Sequence, residues 1–225
     1  MTKYDYLIDP TLIKAALVCA SNEETRYYLK GVYFEKRGTI MRMVSTDGHR
    51  LYCATQNLDF DYCENGPDFG TILPLADLKK ALTGVTKNVD KIICGFSYID
   101  GRPDEIRNAT VNMVNMTPVD GTYPDFTRVL PSKDAVTKNE LAQFNAAYLG
   151  DMAKIAKILG HHGNSVHVQH CGASPAIITF GIRSDVVCLL MPLRDAGLNM
   201  GLLGASDLLG ATGLHLHNTP QKETV

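Results

Sequence analysis

Nowhere does the chain run to the roughly eighteen consecutive apolar residues that a membrane helix needs, which excludes a helical span. Its first residues, MTKYDYLIDPTLIK, carry an acid early and have no long apolar core, so they do not read as a secretory signal. Paired cysteine spacing is absent too. The six cysteines, Cys19, Cys53, Cys63, Cys94, Cys171 and Cys188, never form C-x-x-C. A chain of 225 residues buries a core without covalent staples, so they read as reduced thiols of a cytoplasmic protein. There is no excess of positive charge: 22 Lys and Arg face 24 Asp and Glu, a formal net charge of −2. Any attraction to a polyanion must therefore come from a local patch. The usual catalytic signatures, G-x-S-x-G, the P-loop and G-x-G-x-x-G, are missing. So are helix-turn-helix, zinc-finger and RNA-binding signatures.

What is present is repetition. DPTLIKAALVCASN opens with Asp9 as a helix cap and Pro10 at the first helical position, and Leu12, Ile13, Ala16 and Leu17 form one stripe. YLKGVYFEK, TIMRMVSTD and RLYCATQNL follow as strands. LPLADLKKALTGVTK starts a second round as a helix, with DKIICGFSYI, EIRNATVNMVNMTPVD and TRVLP as strands. FNAAYLGDMAKIAKILG starts a third, with Tyr148, Leu149, Met152, Ile155, Ala156 and Leu159 at helical spacing and Gly160 as its C-cap. SVHVQH, AIITFGI and DVVCLLMP complete it. The reading is an α+β chain of three helix-plus-antiparallel-strands units of about sixty residues each, an architecture of copies.

Each helix carries lysine: Lys14 in the first, Lys79, Lys80 and Lys87 in the second, Lys154 and Lys157 in the third. They fit a solvated face or a shared surface for phosphate. The segment STDGHRLY concentrates Thr46, Asp47, Gly48, His49 and Arg50. An acid and an imidazole two apart across a glycine rarely orient each other for catalysis, and no nucleophile motif accompanies them. Histidine recurs as His161-His162, as His167 and His170 with Cys171, and as His215 and His217. Zinc needs three or four converging ligands, and His167 and His170 fall on opposite faces of a strand. No metal and no cofactor is expected.

TRYYLKGVYFE with MRMVSTDGHRLYCAT resembles the central domain of the bacterial DNA polymerase III β subunit, the sliding clamp, and VDGTYPDFTRVLP resembles the end of that domain. FNAAYLGDMAKIAKI with DVVCLLMPLR resembles the closing half of the clamp's last domain. The motifs stand in family order over roughly residues 5–195. The resemblance implies the DNA clamp fold, in which each domain has two helix-plus-strands halves, helices line a hole and sheets lie outside. It also implies that the Thr46–Leu51 loop is one wall of an apolar cleft for short linear peptides of polymerases and clamp loaders. Carried over by position, that cleft takes Leu29, Thr46, Gly48, His49, Arg50 and Leu51, then Pro131, then Asn145 and Tyr148. Leu189, Met191, Pro192, Leu193 and Arg194 close it. Leu and Met would make an adaptable floor, and Arg50 and Arg194 would hold peptide carbonyls or carboxylates. The alternative is that these apolar residues are plain core. Arg26, Tyr27 and Tyr28 are the implied contacts to double-stranded DNA, without sequence preference, backed by the helix lysines. The alternative for the tyrosines is packing in a strand.

Departures from the family pattern matter as much. Residues 1–131 read as a complete clamp-like domain, 138–195 as a half domain, and 196–225 as a Gly- and Leu-rich tail. A sheet half without its sister exposes an apolar face and strand edges, so a second copy, and a homo-oligomer, is expected to cover it. The tail, with its SDLLG stretch, is another candidate cover or a mimic of a docking peptide. Function follows as a sliding clamp or polymerase processivity factor that is not an enzyme. The alternative is a clamp-like adaptor or competitor that binds clamp-binding peptides without encircling DNA.

Overall fold

The computed structural model describes residues 2–58, 66–99, 101–138, 142–160, 165–181 and 183–194. Two units separate, Met1–Leu193 and Arg194–Val225, and the first holds all the regular elements named below. Its first third runs β1 (Thr2–Ile8), α1 (Pro10–Ala16), β2 (Gly31–Arg37), β3 (Ile40–Thr46) and β4 (Arg50–Asn57). The second runs β5 (Phe69–Pro74), α2 (Leu75–Ala81), β6 (Ile92–Ile99), β7 (Arg102–Val111) and β8 (Val114–Met116). A 3-10 turn (Phe126–Val129) and α3 (Lys133–Lys138) lead to the last third: α4 (Ala146–Ile158), β9 (His167–Gln169), β10 (Ala176–Phe180) and β11 (Arg183–Leu190).

Every ladder is antiparallel, and the first two units exchange their opening strands: β1 lies on β6, while β5 lies on β2. Two sheets result, β1-β6-β7-β8 and β5-β2-β3-β4-β11-β10-β9. The second sheet runs without a break from the first unit into the third, because β11 pairs with β4. Beneath that junction α4 packs on α1. Met152, Ile155, Ala156 and Leu159 of the third unit join Leu12, Ile13, Ala16, Met43 and Tyr52 of the first in one core. Each large apolar side chain so buried contributes about 2 kcal/mol. The half expected to stand with an open apolar face is therefore covered from within its own compact unit.

Local chemistry explains the helix limits. Asp9 Oδ1 accepts from Thr11 N at 2.8 Å and Thr11 Oγ1 at 2.6 Å, and Pro10 fills the first turn, where an N–H has no helical partner. Asn145 Oδ1 takes Ala147 N at 2.9 Å to start α4, and Gly160, at φ +74°, follows its end.

Other expectations change. EIRNATVNMVNM is not one strand but a β7–β8 hairpin, turned at Asn112 and Met113 with φ of 46° and 65°. TRVLP is not a strand: Phe126–Val129 forms a 3-10 turn because Asp125 caps it, with Oδ1 accepting Thr127 N at 3.1 Å. The second helix stops at Ala81, which leaves Lys87 in a later turn and not on a helix. Tyr27 and Tyr28 sit in a 3-10 turn, Tyr27–Leu29, and not in a strand.

Candidate peptide groove

Strand alternation divides the seven-stranded sheet into two faces. Tyr52, Ala54, Cys188 and Leu190 point to the helix layer, and Val44, Leu51 and Leu189 point the other way. On that outer face Leu29, Val44, Leu51, Ile72, Tyr123 and Leu189 form a second, smaller core. Leu51 and Leu189 are direct cross-strand partners at the β4–β11 junction. Above them opens a groove of about 240 Å³.

The β3–β4 turn forms one wall. Asp47 Oδ1 accepts from His49 N at 2.9 Å and Arg50 N at 3.1 Å, and Thr46 Oγ1 accepts from Gly48 N at 3.0 Å. The acid is thus a turn former. Gly48 holds φ +91°, a backbone conformation that favours glycine, and a Cβ there would also make the end of the Arg26 side chain shift. The exposed His49 ring stacks on Tyr148 of α4 at 5.8 Å and 19°. Arg50 is committed elsewhere. Its side chain, 11% exposed, bonds Asp47 Oδ2 at 3.1 Å and Asp151 of α4, and its Cζ lies 4.7 Å from the Tyr148 ring centre. It ties the turn to α4 and at the same time lines the groove.

Of the residues expected in the cleft, the structure gathers Leu29, Thr46, Gly48, Arg50, Leu51, Leu189 and Met191 on the groove. His49 and Tyr148 meet beside it, and Asn145 serves as the α4 cap. Met191 extends the junction, its N donating to His49 O at 2.8 Å, and Leu193 N donates to Gln143 O at 2.8 Å. Pro131 and Pro192 are half-buried and lie outside the lining, and Arg194 opens the second unit. The groove also takes Arg26, Tyr28, Pro124, Asp125, Phe126 and Val129, none of which the sequence assigned to it. Arg26 and Tyr28, expected at DNA, are thereby placed on the groove side. Tyr27, 53% exposed, meets Tyr28 edge-on at 5.7 Å.

The lysines belong to the other face. Lys79, Lys80, Lys154 and Lys157 are exposed on α2 and α4, with Lys154 Nζ 2.6 Å from Asp151, and Lys14 Nζ donates to Val85 O. Three of the described thiols are poor nucleophiles: burial pushes Cys53 up to about 11 and holds Cys94 and Cys188 high as well. Among the described residues no three His, Cys, Asp or Glu converge as metal ligands. His161, His162, His215, His217 and Cys63 lie outside the described residues. Among the described residues no helix is long and apolar enough to cross a membrane.

A family model of the DNA polymerase III beta subunit, central domain, matches residues 10–125. The chain belongs to this family. It is 30% identical over 128 residues to the beta sliding clamp of Vibrio cholerae, covering 56% of this chain and 32% of the relative. The beta sliding clamp of Escherichia coli K12 is 30% identical over 123 residues, 53% of this chain and 31% of that protein. The chain thus spans about a third of the length of the curated relatives it matches. The DNA polymerase sliding clamp of Pseudomonas aeruginosa superposes with a TM-score of 0.64 at 18% identity, covering 86% of this chain and 66% of that one. The Caulobacter crescentus pol III beta gives 0.63 at 20%, with 85% and 66% covered. The clamp fold therefore extends past the family match into α4 and β9–β11, and the end of that part brings Leu189 and Met191 to the groove.

Proposed function

We propose that this member of the beta-subunit family is a sliding-clamp protein of DNA replication. Its outer groove docks short linear peptides of a polymerase or clamp loader. Its helix face meets double-stranded DNA through lysines, without reading sequence, and it catalyses nothing itself. Residues 1–131 would be a whole clamp domain and 138–195 a half domain, a reading supported by the strand exchange in the first and, among the described residues, its absence in the second. Several copies would be needed to surround DNA.

One observation carries the reading. The Leu51–Leu189 pair lays an apolar floor under a groove whose rim keeps Met191 and Val129 exposed, at 38% and 39%. Apolar side chains left half in water beside a preformed groove are what an extended peptide with a few anchors needs. The test is fluorescence anisotropy of a labelled clamp-binding peptide. Met191→Ala with Val129→Ala is expected to weaken binding at least tenfold, since about 1 kcal/mol is lost per truncated rim contact. These rim residues are preferable to Leu51, whose burial makes its truncation a test of folding. Unchanged affinity in the double variant would overturn the groove assignment.

A further inference from the structure

The seven-stranded sheet ends at β5, and that edge is covered only in part. Val119 N donates to Ile72 O at 2.9 Å, so Ile72 turns its carbonyl away from β2. In an antiparallel ladder, residues that turn both backbone groups toward the partner strand alternate with residues that turn both away. Ile72 stands opposite Tyr33 and Gly70 opposite Glu35 in one unshifted register, so Gly70 turns its N–H and C=O outward as Ile72 does. Among the described residues no backbone group meets Gly70 on that side. Gly70 is exposed and has no side chain to shield these groups, because the Tyr33 ring lies where a Cβ would stand. Stacking on Tyr123, at 4.8 Å and 4°, holds Tyr33 there.

The unpaired groups open on a cavity of about 650 Å³ bordered by β5, β7 and residues 117–123. None of its lining residues lines the groove described above. Its charged side chains differ in state. Arg102 Nη1 donates to both Glu105 oxygens, at 3.0 and 3.1 Å. Arg107 and Asp120 are exposed, and neither has an ion-pair partner among the described residues.

We propose that the β5 edge at Gly70 is a separate docking site, which takes an extended peptide segment of another protein as an added strand. An extended backbone supplies, at strand spacing, the acceptor and donor that Gly70 lacks. Exposed edges are ordinarily covered or blunted by charge, and here the cover stops at Ile72. Contacts made through the backbone tolerate many sequences. Arg107 and Asp120 add a preference for a segment that carries both an acid and a base. The site is independent of the peptide-docking reading of the groove and stands or falls without it.

The probe is acetyl-Lys-Val-Thr-Val-Glu-amide, added to the full chain labelled with nitrogen-15. Exchange of the Gly70 amide proton, fast in the free chain, is expected to slow at least about tenfold when the probe is bound. The same peptide N-methylated at every residue should not bind, since it cannot pair as a strand. Arg107→Gln with Asp120→Asn should weaken the probe by about three- to fivefold at low salt, the range of exposed charge pairs. A clamp-binding peptide should neither protect Gly70 nor displace the probe. A Gly70 amide that stays unprotected in millimolar probe would overturn the site. One already protected in the free chain would overturn it too, because the chain itself would then cover the edge. Displacement by the clamp-binding peptide would assign the probe to the groove and overturn the separate site. Unchanged affinity in the double variant would overturn the charge preference.

Discussion

At the level of single residues, charge in this chain is spent mostly on shape. Asp47 folds a turn, Asp9 caps a helix, and Asp185 fixes the start of β11. Arg183 donates from Nε and Nη2 to the two Asp185 oxygens at 2.9 Å each, and the same Nη2 lies 3.4 Å from Asp9 Oδ2 of the α1 cap. The Arg183 hydrogen bonds lower the Asp185 pKa. A carboxyl whose folded pKa is depressed adds stability above its unfolded value of about 4, and that stability is lost as pH falls through the folded value. Urea midpoints followed from pH 7 to pH 2 should therefore drop below about pH 4, and Asp185→Asn should flatten that limb while lowering the midpoint at pH 7. A limb of the same steepness in Asp185→Asn would assign the acid sensitivity to other carboxyls. The sequence made the groove's loop readable, because Thr46–Leu51 is contiguous and carries the family motif. It hid Arg26, since an approach between residues 26 and 48 is a tertiary fact with no local pattern. It was silent on the bond from Arg50 to Asp151 as well, because that acid comes from another unit.

Among the elements, the decisive contact is the β4–β11 junction with α4 on α1. Arg50 crosses it, bonded to the turn acid Asp47 and the helix acid Asp151, whose side chains are 17% and 15% exposed. Removing one member of a largely buried pair strands the other charge, at a cost of about 2–4 kcal/mol. Asp151→Asn is therefore expected to loosen α4 first. Amide exchange should accelerate across Ala146–Ile158 and β11 before it does in the β1-β6-β7-β8 sheet, and peptide affinity should fall because Leu189 and Met191 shift with β11. Uniform acceleration over both sheets would mean that the pair stabilises the whole chain and not the junction. The helices were legible from caps and stripes. The strands were less so: β1 and β5 went unnamed because TKYDYLI and FGTILP lack the bounded alternating runs of the others. TRVLP looked like a strand by composition, and a side-chain cap at Asp125 made it a 3-10 turn.

For the molecule as a whole, the repeat in the sequence announced the architecture, but not how the third unit would be completed, since that depends on pairing over more than a hundred residues of separation. The result places the proposed partners on opposite faces of one sheet. The groove lies outside, over Leu51 and Leu189, and the lysines lie on the helix layer. Two functions on opposite faces should fail independently. Charge reversal at Lys79, Lys80 and Lys157, all exposed, should lower affinity for double-stranded DNA of any sequence. It should also reduce the slope of log K against log salt by about two to three, close to one unit per lost phosphate contact. Lys154 is left out because it already pairs with Asp151, and a glutamate there would disturb the junction as well as the DNA face. Peptide affinity in the same triple variant should stay within twofold of the parent, because no substituted residue touches the groove. Retained DNA binding with an unchanged salt slope would show that the nucleic acid uses another surface. The strongest candidate would then be the exposed Tyr27 beside the groove, and the two partners would compete for one face.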